Sequence, residues 1–149
     1  MAEAFIPTRS AQPVPAAALL GLNLTSEFQV AERINRGMPA STVTRLAEKL
    51  AMSESQVLEY AGVPDSTFHS RKRAHKPLTA DQSSRVYRIA RVLAAAEAYF
   101  EGDQVAAKRW LTSPKLGLDG SSPLEFARTP EGSDYAVRLL QRMEHGVVS

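Results

Sequence analysis

The sequence predicts an all-α fold, with an N-terminal helix-turn-helix region followed by a small helical domain. Apolar residues recur at helical spacing along most of the chain, as in the set Val43, Leu46, Ala47 and Leu50. Ser, Thr or Asp stands before most of these segments, where a helix cap is expected. We find no convincing strand pattern and no repeat of useful length. A chain of 149 residues therefore forms one domain, or two very small ones that share a core.

The first residues predict a loose arm. Residues 1–22 are rich in Ala and Pro and carry little charge, a composition that does not build a core. We expect residues 1–18 to be flexible, because chain termini are ordered only where something ties them down. The residues of this segment that can pack on the body are Leu19, Leu20 and Leu22.

Three short helices are predicted before residue 62. Each begins at a hydroxyl side chain that can accept a hydrogen bond from a backbone N–H group. In chain order they are a helix capped by Ser26 that reaches Arg36 before Gly37 and Pro39, a helix capped by Ser41 that carries the apolar face Val43–Leu50, and a helix over Glu54–Tyr60 that starts after Ser53.

A helix-turn-helix is predicted around Gly62. The helix Glu54–Tyr60 is the supporting helix, and Gly62 allows a sharp turn after it. A second helix over Asp65–Ala74 carries one apolar anchor, Phe68, among polar side chains. Such a helix offers its polar face to a DNA major groove, where base edges give selectivity and phosphates give affinity. The candidates for the groove and its phosphates are Ser66, Thr67, His69, Ser70 and Arg71, and the candidates for the DNA backbone are Arg73, Lys76 and Arg85.

The distribution of charge favours a nucleic-acid partner for this region. Net charge is only +2, but residues 1–93 hold 12 Lys and Arg against 8 Asp and Glu, whereas residues 94–149 hold 6 against 8. A basic patch beside a helix-turn-helix is typical of a duplex binder. The alternative is a tight helix–helix turn with a solvated basic face, and Leu58 stands where a small residue often precedes the turn. The clustered cations are Arg71, Lys72, Arg73, Lys76, Arg85, Arg88 and Arg91.

Four more helices are predicted after residue 78. The first is long, about Ala80–Glu101, with its apolar residues on one face and Arg88 and Arg91 on the opposite side. Trp110 and Leu111 end the second helix and are expected to fill the core. The predicted helix starts are Thr79, Asp103, Ser122-Pro123 and Thr129-Pro130.

The last third of the chain predicts a protein-binding surface. The loop over residues 112–122 and the helices after it are expected to expose Leu118, Leu124 and Phe126 beside an acidic rim. Apolar anchors with a polar rim are typical of protein interfaces.

Several other classes of protein fit the sequence poorly. The chain has no cysteine, which excludes disulfides and thiolate metal sites and favours the cytoplasm. No apolar run approaches the roughly 20 residues of a membrane span, and no signal peptide is apparent. Asp65, Ser66 and His69 are neighbours on one short helix, which rarely gives the geometry of a catalytic triad. Without metal-ligand spacing or a Gly-rich phosphate loop, we expect no enzyme activity, metal or cofactor.

A series of short motifs runs through most of the chain in a fixed order. The block from Trp110-Leu111 through Pro114 and Leu118-x-Gly120 to Ser122-Pro123-Leu124 is the most specific of them. From about Leu19 to Gly146, the series resembles the Xre/MbcA/ParS-type antitoxins, which pair with toxins of the RES-domain class. Its other members are Gly62-Val63-Pro64, Ser66-Thr67, Arg71-Lys72-Arg73, Lys76-Pro77-Leu78-Thr79, Ser84–Ala90, Ala96–Phe100 with Gly102, Ala107, Thr129 with Gly132, and Leu139-Leu140 ending at Gly146.

The resemblance implies a division of the chain and a function. Residues 19–78 would be the DNA-binding region and residues 79–149 a toxin-binding domain, with a long helix over 80–101 bridging the two. An antitoxin of this kind neutralises a toxin that consumes NAD or transfers ADP-ribose by covering its active site, and it represses its own operon. The implied toxin-binding residues, beyond the apolar anchors above, are Arg138, Arg142, His145, Val147, Val148 and Ser149.

The expected partners are the RES-domain toxin and operator DNA. Because operators have two-fold symmetry, we also expect a homodimer through the N-terminal helices, inside a hetero-oligomeric complex. Two alternatives remain open at this point. One is a stand-alone helix-turn-helix regulator whose C-terminal domain binds another protein or dimerises, and the other is an interaction adaptor with no role at DNA.

Overall fold

The computed structural model describes residues 12–146, and all regular structure in that range is helical. None of these helices is both long and apolar enough to cross a membrane. The nine α-helices within the range are α1 (Pro15–Leu19), α2 (Glu27–Arg36), α3 (Ser41–Leu50), α4 (Glu54–Ala61), α5 (Asp65–Arg73), α6 (Ala80–Tyr99), α7 (Gln104–Thr112), α8 (Pro123–Phe126) and α9 (Pro130–Glu144), with a short 3-10 turn at Leu116–Leu118.

Most of the predicted helix starts are confirmed by side-chain caps. Ser53 and Thr79 form reciprocal capping boxes with Gln56 and Gln82, which satisfy two backbone donors at each helix start. The other confirmed caps, each accepting from a backbone N–H, are Ser26, Asp103, Ser122 and Thr129.

Ser41 does not cap α3, so that prediction is wrong. Ser41 is the first residue of the helix, and Ala40 occupies the cap position with φ −58° and ψ −28°, already close to helical. The chain enters the helix through tight bonds instead. The backbone N–H of Thr42 donates to the Pro39 carbonyl at 3.1 Å, and the Thr42 hydroxyl donates to the same oxygen at 2.7 Å.

Helix α6 is the central element, because helices from both parts of the chain pack around it. Its contacts include α1, α2 and α4 on the N-terminal side and α7 and α9 on the C-terminal side. The predicted apolar face is buried at Val86, Ile89, Leu93 and Ala96. These side chains belong to one continuous core that also contains Leu46, Phe68, Trp110 and Leu140.

The side of α6 opposite its apolar face is partly covered, so Arg88 and Arg91 do not project freely as predicted. Arg91 donates from Nη1 to Oδ1 of Asp134 on α9 at 2.7 Å, and Arg88 donates from Nη2 to the Arg128 carbonyl at 3.2 Å. Both arginines are partly buried. Helices α8 and α9 fold back over this side of α6, which the helical periodicity alone does not indicate.

The predicted flexible arm differs from the structure at its last residues. Residues 1–11 lie outside the described range, but residues 15–18 belong to α1, where Ala16 and Ala17 are buried. Pro15 stands at the first turn, the position where proline favours a helix. Small alanine side chains let α1 lie close to α6, and Leu20 is buried after it.

Candidate functional site

The turn between α4 and α5 has the geometry that the sequence predicts. Gly62 adopts a left-handed conformation, with φ 72° and ψ 31°, and ends α4. The N–H of Val63 donates to the Leu58 carbonyl at 2.9 Å, and Pro64 then leads into α5. Phe68 is fully buried. One aromatic anchor therefore holds α5 to the body, while most of its other side chains stay free of the core.

The exposed face of α5 carries most of the predicted DNA-contacting residues. Phosphates and base edges are reached by donors and hydroxyls that point away from the core, which is the arrangement found here. The residues that are exposed are Ser66, Thr67, His69, Ser70, Arg73 and, just beyond the helix, Lys76.

Besides Arg88 and Arg91, three further cations of the predicted patch have partners inside the chain. Arg71 donates from Nε to the Pro77 carbonyl at 2.6 Å, which closes the segment after α5. Arg85 donates from Nε to Oδ2 of Asp81 at 2.9 Å, one helical turn away. Lys72 lies 3.9 Å from Oε1 of Glu54 and 5.8 Å from the centre of the Phe68 ring. Their charge remains near α5, but these side chains are held in place.

Two successive helix–turn–helix units are present, and their charges distinguish them. Between α3 and α4, Ala51 adopts the left-handed conformation with φ 51°, as Gly62 does between α4 and α5. Helix α4 presents the acidic side chains of Glu54 and Glu59 at its surface, whereas α5 presents Arg and Lys. Because phosphates repel carboxylates, α5 is the helix suited to approach DNA.

The loop after α7 folds onto the core and only partly matches the predicted interface. Leu118 and Leu124 are 1% and 0% exposed, so the expectation that they are surface anchors is wrong. The N–H of Lys115 donates to the Ser121 carbonyl at 3.1 Å, which closes the loop and turns Leu118 inward. Leu116, two residues earlier, is instead fully exposed at 101%. A helical or alternating pattern does not distinguish these two leucines.

The aromatic residues of this region fill space rather than project. Trp110 is 8% exposed, which confirms its predicted place in the core, and Nζ of Lys115 lies 5.5 Å from the ring centre. Phe126 is half-buried, with its ring 5.6 Å from the ring of Tyr135 on α9.

Among the predicted toxin-binding residues that the structure describes, those on α9 and just after it are the most exposed. Arg138 and His145 are exposed, and Arg142 is half-buried with its guanidinium 5.6 Å from the Tyr135 ring. Val147, Val148 and Ser149 lie outside the described residues. On the opposite side of the helix, Ala136 and Leu140 are buried.

A chain of arginine hydrogen bonds joins the two regions. Arg128, between α8 and α9, donates from Nη2 to the Glu59 carbonyl of α4 at 2.6 Å. Arg88 of α6 reaches the carbonyl of the same Arg128 and the Ser84 hydroxyl. Burial, and after it the nearby charge of Arg85, lowers the pKa of Arg88. No local sequence pattern indicates this link, because the residues that it joins are 40 or more positions apart.

Comparison with known proteins assigns both regions to described domain families. Residues 29–91 match the antitoxin Xre-like helix-turn-helix domain, and residues 95–146 match the antitoxin Xre/MbcA/ParS C-terminal toxin-binding domain. Antitoxin Xre of Pseudomonas putida is 33% identical over 130 residues, which are 87% of this chain and 80% of that protein. A helix-turn-helix domain followed by a toxin-binding domain defines an antitoxin.

Two further relatives agree with this assignment. Antitoxin Xre of Photorhabdus laumondii is 28% identical over 97% of this chain and 98% of its own length. A protein of a Sphingobium species named Prs ADP-ribosylating antitoxin is 25% identical over 76% of each chain. The chain belongs to the Xre/MbcA/ParS-type antitoxin family.

Proposed function

We propose that the chain neutralises a cognate RES-domain toxin, one that consumes NAD or transfers ADP-ribose, and represses its own operon. Toxin neutralisation is supported mainly by the match of residues 95–146 to a toxin-binding domain. In this chain the last helix of that domain ends in exposed polar side chains. The relative named for ADP-ribosylation supports the choice of toxin chemistry. The basic, exposed face of α5 supports the operator arm.

The C-terminal region acts by occlusion. Residues 79–149 contact the toxin through the outer face of α9 and the segment after it, including Arg138, Arg142, His145 and residues 147–149. Phe126 contributes from its exposed edge. Leu116 supplies the apolar anchor, because a fully exposed leucine on this domain loses its contact with water when a partner covers it.

The N-terminal region, residues 19–78, binds the operator. Ser66, Thr67, His69 and Ser70 lie on the exposed side of α5, where a major groove can accept them. The remaining predicted contacts bind phosphates. Arg73 and Lys76 do so directly, and Arg71 and Arg85 use the guanidinium N–H groups that are not engaged in their internal hydrogen bonds.

A homodimer through the N-terminal helices completes the proposed assembly. Phe28 on α2 is 76% exposed, and α2 also lines a groove with Tyr87 and Arg91 of α6. A two-fold axis beside α2 lets each copy place its Phe28 against the other copy, an isologous contact. Such a dimer presents two α5 helices to two half-sites.

Co-expression with the neighbouring gene product tests the toxin arm. The proposal predicts that the chain copurifies with a RES-domain protein and restores growth to cells that express it. The variant Leu116→Glu should lose both effects, whereas Val105→Glu, which places the same charge on an exposed residue of α7, should keep them. A wild-type chain that shifts its promoter DNA but gives no rescue is a stand-alone regulator, and the occlusion proposal then fails.

A further inference from the structure

A basic pocket opens between α2, the start of α3 and the segment that follows α5. It has a volume of about 460 Å³. Only one of its basic residues, Lys76, is among the predicted DNA contacts, so the pocket extends the charged surface beyond the exposed face of α5. Its polar lining residues are Arg33, Ser41, Thr44, Lys72, His75 and Lys76, and Pro39, Ala40 and Pro77 complete the lining.

The positive charge of the basic pocket is largely uncompensated. Among residues 12–146, Arg33, His75 and Lys76 form no ion pair with a carboxylate. Only Lys72 is paired, to Glu54 at 3.9 Å, and the Thr44 hydroxyl donates to the other oxygen of that carboxylate at 2.6 Å. Cations from separate segments that converge on one cavity repel each other unless an anion joins them.

Part of the hydrogen-bonding capacity around the basic pocket is also unused, although Thr44 and Lys72 already bind Glu54. The Nε atom of Arg33 is buried and makes no hydrogen bond within the described part of the chain. Ala40 and Ser41 at the start of the ten-residue helix α3 line the pocket, and no side chain caps that helix. The partial positive charge of the helix end adds to that of the side chains.

His75 reaches the basic pocket through an unusual backbone conformation. Its φ is 55°, in the left-handed region where a helix end normally has glycine. Its N–H donates to the Lys72 carbonyl at 3.1 Å, and the N–H of Lys76 donates to the Arg71 carbonyl at 2.9 Å, which together end α5. His75 lines the pocket, and unlike glycine it has a ring N–H that can donate to a ligand there.

We propose that the basic pocket binds a phosphoryl group. Three cations and an imidazole donor around one cavity match the several acceptor oxygens of a phosphate. The preferred source is a backbone phosphate of the operator that flanks the bases under α5, a choice that rests on the proposed DNA function. The other source of the same chemistry is a free phosphate ester or pyrophosphate.

The salt dependence of DNA binding tests the preferred source. Arg33→Gln is compared with Arg36→Gln, which removes the same charge from α2 outside the pocket. Loss of one phosphate contact should lower the slope of log K against log salt by about 0.9 for each bound copy, and weaken binding roughly tenfold per copy near 0.1 M salt. Arg36→Gln should leave the slope at the wild-type value. Equal slopes for both variants and the wild type contradict a backbone phosphate in the pocket.

His75→Gly separates a binding role from a structural one. Glycine relieves the left-handed backbone at this position, so the variant should melt at the wild-type temperature or above it. If His75 only ends α5, DNA affinity should be unchanged or improved. The proposal predicts that affinity falls several-fold while the melting temperature does not.

Titration of the DNA-free full-length protein with pyrophosphate, followed by NMR of the backbone amides, distinguishes the two sources. Shifts at Ser41 and Lys76 that are lost in Arg33→Gln indicate a free phosphoryl ligand, whether or not the chain binds DNA. No shifts together with a reduced slope in Arg33→Gln indicate the operator phosphate. A wild-type chain without DNA affinity overturns the DNA function alone. A wild-type slope in Arg33→Gln together with no pyrophosphate shifts overturns the basic pocket as a phosphoryl site.

Discussion

At the scale of single residues, burial decides which predicted contacts remain available. Leu116 and Leu118 lie in one 3-10 turn, yet the first is fully exposed and the second is buried. Their difference depends on how the loop closes on the core, through bonds such as that between Lys115 and Ser121. Sequence therefore locates the loop but not the orientation of its leucines. The pairing of Arg85 with Asp81, by contrast, has the i, i+4 spacing that a sequence displays directly.

This pair of leucines gives a matched prediction. Leu118→Ala should destabilise the protein by about 2–5 kcal/mol, because it leaves a cavity in a closed site. Leu116→Ala should change stability by less than about 0.5 kcal/mol, since its side chain is already in water. The free energies of unfolding in urea measure both. A large loss of stability in Leu116→Ala contradicts the observed orientation of the loop.

The toxin affinity of the same two variants reports function separately. Leu116→Ala should weaken toxin binding by more than about 1 kcal/mol, roughly fivefold in Kd, as expected for an apolar anchor at an interface. When only the folded protein is counted in the binding measurement, Leu118→Ala should retain more affinity for the toxin than Leu116→Ala. The reverse order would place the contact elsewhere on the domain.

At the scale of secondary-structure elements, the helix starts that depend on a nearby cap residue can be predicted from sequence. Cap residues act on backbone groups two or three positions away, so Ser53 and Thr79 could be recognised as helix starts from sequence. The exceptions depend on distant contacts. The sequence does not predict α1, because the burial of that helix comes from packing on α6. Ser41 has the residue type of a cap, but the turn at Pro39 starts the helix before it.

The junction of α8 and α9 depends on one glycine. A Cβ atom added to Gly132 would overlap the Phe126 carbonyl, which belongs to backbone and cannot rotate away. Gly132→Ala should therefore destabilise the protein by about 1–3 kcal/mol, the usual cost of overpacking. Gly117→Ala is the control, because a Cβ there meets open space at an ordinary φ. Thermal melting that ranks the two variants equally contradicts the close approach of α8 to α9.

Helix α9 has one buried face and one exposed face, and this determines which variants can test toxin binding. Truncation after Gly132 would remove most of α9 and so offers a simple test of occlusion, but Ala136 and Leu140 are buried beneath the helix. That truncation should remove part of the core and unfold the C-terminal region, as judged by circular dichroism and by Trp110 fluorescence. Arg138→Glu should leave both signals unchanged, because Arg138 is exposed. A truncated chain with native signals contradicts the observed packing of α9.

At the scale of the whole molecule, the two regions share one core around α6. Sequence predicts a long helix between them but not that α8 and α9 return to it, nor that Arg128 reaches Glu59 of α4. Those contacts join residues far apart in the chain, which no local pattern encodes. A core that includes both Leu46 and Trp110 should melt as a single cooperative unit.

The single tryptophan makes this cooperativity measurable. Trp110 lies in the C-terminal region, so its fluorescence follows that region, while far-UV circular dichroism follows all helices. Leu46→Ala, a change within the N-terminal region, should lower both urea midpoints equally, at a cost of about 2–5 kcal/mol. If circular dichroism gives two transitions while fluorescence gives one, the regions unfold independently and the shared core is contradicted.

The central claim is that α5 binds the operator and the outer face of α9 binds the toxin. The most direct measurement compares two charge variants of the full-length chain, Arg73→Gln and Arg138→Glu, for promoter affinity and for rescue of toxin-expressing cells. Arg73→Gln should weaken DNA binding roughly tenfold for each bound copy near 0.1 M salt and keep the rescue. Arg138→Glu should lose the rescue and bind the promoter with wild-type affinity. Variants that lose both activities together, or a variant of α9 that weakens only DNA binding, would contradict the claim.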